Sequence, residues 1–125
     1  MPTRHTSAKL PRAVTAETVR SLAVALPRAE EGPCYGTPGF RVAGRLFARL
    51  REDGDTLVLR ADLDTRDALI EARPDLFFTT DHYRGHPWVL VHFRLLPVDE
   101  LRGLLAAAWR QVAPKRLVNS LQAPP

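Results

Sequence analysis

His82 and His86 stand four residues apart, with Asp81 beside them and His92 further on, and these are residue types from which a zinc site is built. That spacing brings two imidazoles together on a helix. Gly85 and Pro87 argue against a helix there, so the pair reads as loop histidines and no metal is expected. A nucleophilic pair would need Cys34, the single cysteine, beside one of these histidines with an oxyanion donor at hand, and nothing local supplies it. Between Pro33 and Tyr35, Cys34 reads as a small buried hydrophobe. Gly32, Gly36, Gly39 and Gly44 fit neither the dinucleotide nor the Walker spacing, so they read as turn and bulge residues and no cofactor is expected. The acid pairs Glu30-Glu31, Asp53-Asp55 and Asp99-Glu100 fall at turns or helix starts, where solvation and capping account for them. No catalytic residue emerges, and the chain is not expected to be an enzyme.

Binding chemistry is better represented. Tyr83 and Arg84 share a loop tip, where an aromatic ring and a guanidinium together stack on a base and contact phosphate; a tyrosine covering the edge of the core fits equally well. Trp88 and Trp109 have the right surface for stacking, but both fall on apolar stripes and are expected in the core. Along 45–51 the period of two predicts Leu46, Ala48 and Leu50 on one face of a strand and Arg45, Phe47, Arg49 and Arg51 on the other. That arginine row is the most suggestive surface in the sequence.

The elements that must position these residues follow from periodicity and punctuation. Thr15 is a fitting N-cap for a helix carrying Val19, Leu22, Ala23 and Leu26, which Pro27 stops. From Glu30 to Arg60 short extended runs alternate with Gly, Pro and acidic turns, the pattern of an antiparallel meander of three or four strands with a tight Ala43-Gly44 turn. Asp62 or Asp64 caps a second helix running to about Arg73, ended by Pro74. Strands resume at 76–80 and 88–93, around the loop 81–87. After Pro97, Leu101, Leu104, Leu105, Ala108, Trp109 and Val112 form the clearest helical stripe, and Pro114 breaks it. The fold class is α+β, with helices packed on a mainly antiparallel sheet. Leu22, Leu26, Phe47, Leu59, Leu69, Leu90, Leu105 and Trp109 are expected to be buried between them.

With 125 residues the chain is the size of one domain, read as a flexible leader over 1–14, a domain over 15–117 and a loose tail over 118–125. No apolar run approaches the roughly 20 residues that span a bilayer, and 1–11 lack the apolar stretch of a signal peptide, so a cytoplasmic protein without membrane contact is expected. The formal charge is +4, but Arg4, Lys9, Arg12, Lys115 and Arg116 lie outside 13–113, the stretch that holds all 14 acids. The domain itself is therefore about neutral, and only a segregated patch would make it bind a polyanion.

Three blocks give the chain a likeness to a known family: the run from Glu30 through Cys34, Gly39 and Phe47 to Leu50; the run from Phe77 to Val91 with His82, Tyr83, Arg84, Gly85, His86, Pro87 and Trp88 at its centre; and Ala108 to Leu117. From about Thr15 to Leu117 it resembles the MmcQ/YjbR-like family of DNA-binding proteins. The resemblance implies an α-β(3)-α-β(2)-α order and a double-wing shape of sheet and hairpins. On that footing Arg41, Arg45, Arg49 and Arg60 on the sheet are expected to contact phosphates, assisted by Tyr83, Arg84, Lys115 and Arg116. Binding to DNA is expected to be weak and without strong sequence preference. The same architecture resembles secretion-chaperone folds, which makes a protein partner the alternative, with a small ligand or an unrecognised enzyme third.

Overall fold

A computed structural model describes residues 14–122. Thr15 starts helix α1 (Ala16–Val24) with a capping box: its hydroxyl accepts from the Thr18 N–H, and the Thr18 hydroxyl accepts from the Thr15 N–H at 3.1 Å. A meander of four strands follows, β1 (Glu30–Cys34), β2 (Thr37–Val42), β3 (Arg45–Leu50) and β4 (Thr56–Arg60). Asp62 caps α2 (Leu63–Ala72), its carboxylate accepting from the Thr65 N–H at 2.8 Å. The short β5 (Phe77–Phe78) and β6 (Trp88–His92) complete the sheet, and α3 (Val98–Val112) and α4 (Lys115–Gln122) end the described chain.

All six strands pair antiparallel in the order β1-β2-β3-β4-β6-β5. Helices α1 and α3 cover one face of the sheet, where Phe40, Val42, Phe47, Leu57, Leu59, Val89 and Val91 meet Leu101, Leu105, Ala108 and Trp109. Trp109 is fully buried and its indole N–H donates to the Pro27 carbonyl at 3.0 Å, so α3 holds the end of α1 as well as the sheet. Of the expected core, Phe47, Leu59, Leu105 and Trp109 lie there; Leu22, Leu26 and Leu69 are half-buried at its margin. Leu90 is buried on the opposite face, beside Val58.

Strict alternation fails in β3. Arg41 pairs with Leu46 and Phe40 with Ala48, so Phe47 is an extra residue, a β-bulge. Phe47 and Ala48 both face the helices, while Leu46 and Arg49 face away from them. Arg45 pairs with Val42 and so shares the helix-side face, which breaks the expected row of Arg45, Phe47 and Arg49. Residues 118–122, read as loose tail, continue α4, whose Leu117 and Val118 pack against the core. Most of the expected leader lies outside the described residues; Val14 at its end is buried with the core.

Candidate functional site

The sheet face turned away from α1 and α3 carries Arg41, Leu46, Arg49, Val58, Arg60, Trp88 and Leu90, fixed there by the pairings Arg41↔Leu46, Arg49↔Val58, Val58↔Leu90 and Arg60↔Trp88. Two loops rise from it. One is the β1–β2 turn, in which Tyr35 (φ 54°) and Gly36 (φ 80°) both take the left-handed conformation a two-residue hairpin requires. A tyrosine there is strained, and its ring stands 82% exposed at the tip. The turn is drawn tight by Gly39, where a Cβ would lie 2.7 Å from that of Cys34. The other loop is 79–87. Between them a cavity of about 300 Å³ is lined by Tyr35, Leu46, Arg49, Val58, His82, Tyr83, His86 and Trp88.

Arg49 is the floor of this cavity and is almost wholly buried, its side chain 7% exposed. Its Nη1 donates to the Tyr83 hydroxyl at 3.0 Å, its Nη2 makes a long bond of 3.4 Å to the Thr37 hydroxyl, and its guanidinium carbon lies 5.3 Å from the centre of the Tyr35 ring. The nearest carboxylate, Glu52, is exposed and 3.8 Å away. A second concavity of about 360 Å³ shares Tyr35, Arg49, His82 and Tyr83 and adds Arg51, Glu52 and Thr80. Leu46, Val58 and Trp88 make the first an aromatic and apolar compartment, and Arg51 and Glu52 make the second a polar one.

Burying a guanidinium is costly unless its donors are used. Here they are not all used. The buried side-chain atoms without a hydrogen-bond partner among the described residues are Arg49 Nε and Arg60 Nε, and both belong to this face. Arg60 lies 5.4 Å over the Trp88 ring, so the second under-used guanidinium is stacked on an aromatic of the same cavity wall. Both Nε atoms are closed to solvent, so they mark incomplete hydrogen bonding of the two guanidiniums rather than contacts open to a ligand.

The loop 79–87 is held by Arg66, a buried arginine in α2 that the sequence did not single out. Its Nη1 donates to the Arg84 carbonyl at 2.6 Å and reaches the carbonyls of Tyr83 and His86 at 3.5 and 3.4 Å. Tyr83 N–H to Thr80 and His86 N–H to Tyr83 close the turns of the loop itself. Arg66 thus sets the height at which Tyr83, His82 and His86 stand over the sheet.

The expected phosphate-binding residues do not form one set. Arg49, Arg60 and Tyr83 meet at the cavity or its wall. Arg41 is half-buried on the same face and donates to the Pro33 carbonyl at 3.4 Å. Arg84 is exposed and paired with Asp81 at 2.8 Å. Arg45, Lys115 and Arg116 lie elsewhere: Arg116 lines a separate groove with Arg28, Glu30 and Gly44 at the other end of the β2–β3 hairpin. Trp88, expected in the core, is half-buried against the cavity. Tyr35 and Trp88 complete the aromatic lining; the only sequence signal for Tyr35 was its place before a glycine in a turn. His92, set beside the loop histidines as a ligand candidate, stacks on Phe78 instead, and no three His, Cys, Asp or Glu side chains converge among the described residues. No helix among them is long and apolar enough to cross a membrane.

Two carboxylates near the site are shifted. Burial opposes the charge of Asp53, but hydrogen bonds from the Asp55 N–H, the Thr56 hydroxyl and the Thr56 N–H outweigh it and hold the carboxyl below its ordinary range. They fix the β3–β4 turn. Asp62 is lowered by the N–H and hydroxyl of Thr65 at the start of the helix that carries Arg66.

The YjbR family model matches residues 24–111, a stretch holding the whole cavity and the Arg66 anchor but not Lys115 or Arg116. The chain belongs to the YjbR family. Uncharacterized protein Rv2570 of Mycobacterium tuberculosis and uncharacterized protein Mb2600 of Mycobacterium bovis are each 39% identical over 71 residues, 56% of this chain. The match spans 55% of the length of each of these relatives. The crystal structure of Deinococcus radiodurans protein DR2400, a DUF419 domain, is similar in fold, with a TM-score of 0.70 at 24% identity over 93% of both chains. These names indicate no catalytic function.

Proposed function

We propose that this chain is a DNA-binding module of the cytoplasm that takes unpaired nucleotides on the outer face of its sheet, by stacking and hydrogen bonding rather than by a row of phosphate contacts. The observation that carries the reading is the incompletely satisfied Arg49 guanidinium set among Tyr35, Tyr83 and Trp88 in one cavity, with a second such guanidinium, Arg60, stacked on the Trp88 ring. Aromatic platforms beside arginine suit bases that have left the duplex, because every base has a face to stack. The β1–β2 tip and the loop 79–87 then act as two wings around the strand, with a base in the aromatic compartment and its phosphate toward Arg51 in the polar one. Duplex binding is disfavoured, since the domain is close to neutral and Arg84 is already paired.

Titrating the protein with single-stranded DNA, duplex DNA and RNA at two salt concentrations, while following tryptophan fluorescence, tests this. Trp109 is fully buried, so quenching reports Trp88. Single strands are expected to quench it with a shallow salt slope, on the order of one to three phosphates neutralised. Tighter binding of duplex with unchanged Trp88 emission overturns the reading, and binding of a protein partner without any nucleic acid replaces it.

A further inference from the structure

The cavity's polar groups are unbalanced in a way that bears on which base it accepts. Arg49 offers five N–H donors in a planar fork and uses one in a good hydrogen bond, to Tyr83, and one in a long one, to Thr37. Its Nε has no partner and is closed to solvent; Arg60, whose Nε is likewise unpartnered, lies outside the lining, over the Trp88 ring. His82 and His86 line it too, and an imidazole in its neutral form brings one N–H donor and one acceptor nitrogen. No carboxylate lines this compartment; Glu52, 3.8 Å from Arg49, belongs to the lining of the polar one. The remaining lining is the side chains of Leu46, Val58 and Trp88 and the rings of the tyrosines. At about 300 Å³ the compartment is at the lower end of small-molecule sites, room for one ring system and not for a base pair.

From this we infer that the cavity reads the keto edge of a single unpaired base, with guanine preferred. This rests on the nucleic-acid reading above and deepens it. Guanine presents two adjacent acceptors, O6 and N7, to which an arginine fork donates both hydrogens. Thymine offers carbonyl oxygens and stands second. Adenine and cytosine present an amino group to the Arg49 fork where guanine presents an acceptor, so each loses one of the two hydrogen bonds the fork makes to guanine. Tyr83 occupies part of the Arg49 fork when the cavity is empty, and the incoming base takes its place. An arginine so buried is thereby a recognition residue rather than a phosphate contact.

The test uses the full chain and four trinucleotides, each with one central base, guanine, thymine, adenine or cytosine, flanked by abasic sugar-phosphates. Trp88 quenching is expected to give guanine at least roughly fivefold tighter binding than adenine or cytosine, the lower bound for a paired contact to a base edge. A central 7-deazaguanine, which lacks the N7 acceptor, is expected to lose most of that preference with no change to the protein. Arg49→Lys keeps the charge but not the fork and is expected to bring guanine and adenine within about twofold. Tyr83→Phe, which removes the internal competitor and leaves the fork, is expected to keep or widen the preference. Equal binding of all four trimers, or full retention by 7-deazaguanine, overturns the base assignment while leaving nucleic-acid binding standing. If no trimer quenches, both readings fall, and a rise in Tm with benzoate or inorganic phosphate then marks the cavity as an anion site.

Discussion

Arg66→Met is the perturbation that separates the loop 79–87 from its support while leaving the cavity side chains unchanged. Methionine keeps the apolar stem, so the loss is confined to the guanidinium and its bonds. The 2.6 Å bond to the Arg84 carbonyl is charge-assisted and short, which makes it worth about 1.5 to 3 kcal/mol net. The reaches of 3.4 and 3.5 Å to the His86 and Tyr83 carbonyls add little, and the ion pair with Asp67, whose side chain is 66% exposed, adds at most about 1 kcal/mol. The freed carbonyls sit on a surface loop and turn to water, which limits the penalty. The expected cost is therefore about 2 to 3 kcal/mol, or roughly 8 to 13 °C in Tm for a domain of this size. Urea unfolding should show a lower midpoint at an unchanged slope, and hydrogen exchange at Tyr83 and His86 should rise more than in β4. Binding of the guanine trimer should weaken with it, because Tyr83 and the histidines lose their height over the sheet. A cost below about 0.5 kcal/mol, or protection of the loop left intact, would show that the loop holds itself and that Arg66 is not its anchor.

Tyr35→Asn exchanges a strained left-handed tyrosine for a residue that accepts that conformation, so the turn gains about what the lost stacking on Arg49 costs. Stability should stay within about 0.5 kcal/mol by thermal unfolding while trimer affinity falls severalfold. Leu105→Ala, at the centre of the α3 stripe, should cost about 2 to 5 kcal/mol in urea, and a value near zero would contradict its burial against the sheet. Asp62 is held below its ordinary value near 3.8, so its charge stabilises the fold above that pH and this contribution is lost as pH falls through the lowered folded value. Asp62→Asn still caps α2; between about pH 5 and pH 2 its urea midpoint should therefore fall less than that of the parent.

Local signals in the sequence located most of the elements. Thr15 and Asp62 as caps, Ala43-Gly44 as a turn, and the stripe from Leu101 to Val112 each depend on neighbours within a few residues, and each stands where its chemistry requires. The cavity was less legible because what builds it is non-local. Arg66 meets its carbonyls 17 to 20 residues on, and Arg49 meets Tyr83 34 residues on, distances over which no periodicity speaks. Trp88 fits an apolar stripe as well as a core residue does, and only the pairing of β4 with β6 places it opposite Arg60 on the outer face. The turn at Tyr35-Gly36 was less legible because Pro33 and Pro38 suit an edge strand or a bend equally; they sit opposite each other in a regular antiparallel pair, β1 being the edge strand of the sheet. Helix α4 follows Pro114 and is too short for its period to stand out.

The bulge at Phe47 also governs how sequences of this kind should be aligned. Because Phe47 is the supernumerary residue of β3, deleting it leaves Leu46 and Arg49 outward and Ala48 and Leu50 inward, with every cross-strand partner kept. The loss is one phenyl ring from the core. Deleting Ala48 has the same outcome, since Phe47 then takes its inward place. A homologue one residue shorter between Leu46 and Arg49 is thus expected to retain its guanidinium in the cavity, provided that the gap is placed at the bulge. Aligned without that gap, the arginine of such a homologue would be matched to an inward position and the shared site would go unseen.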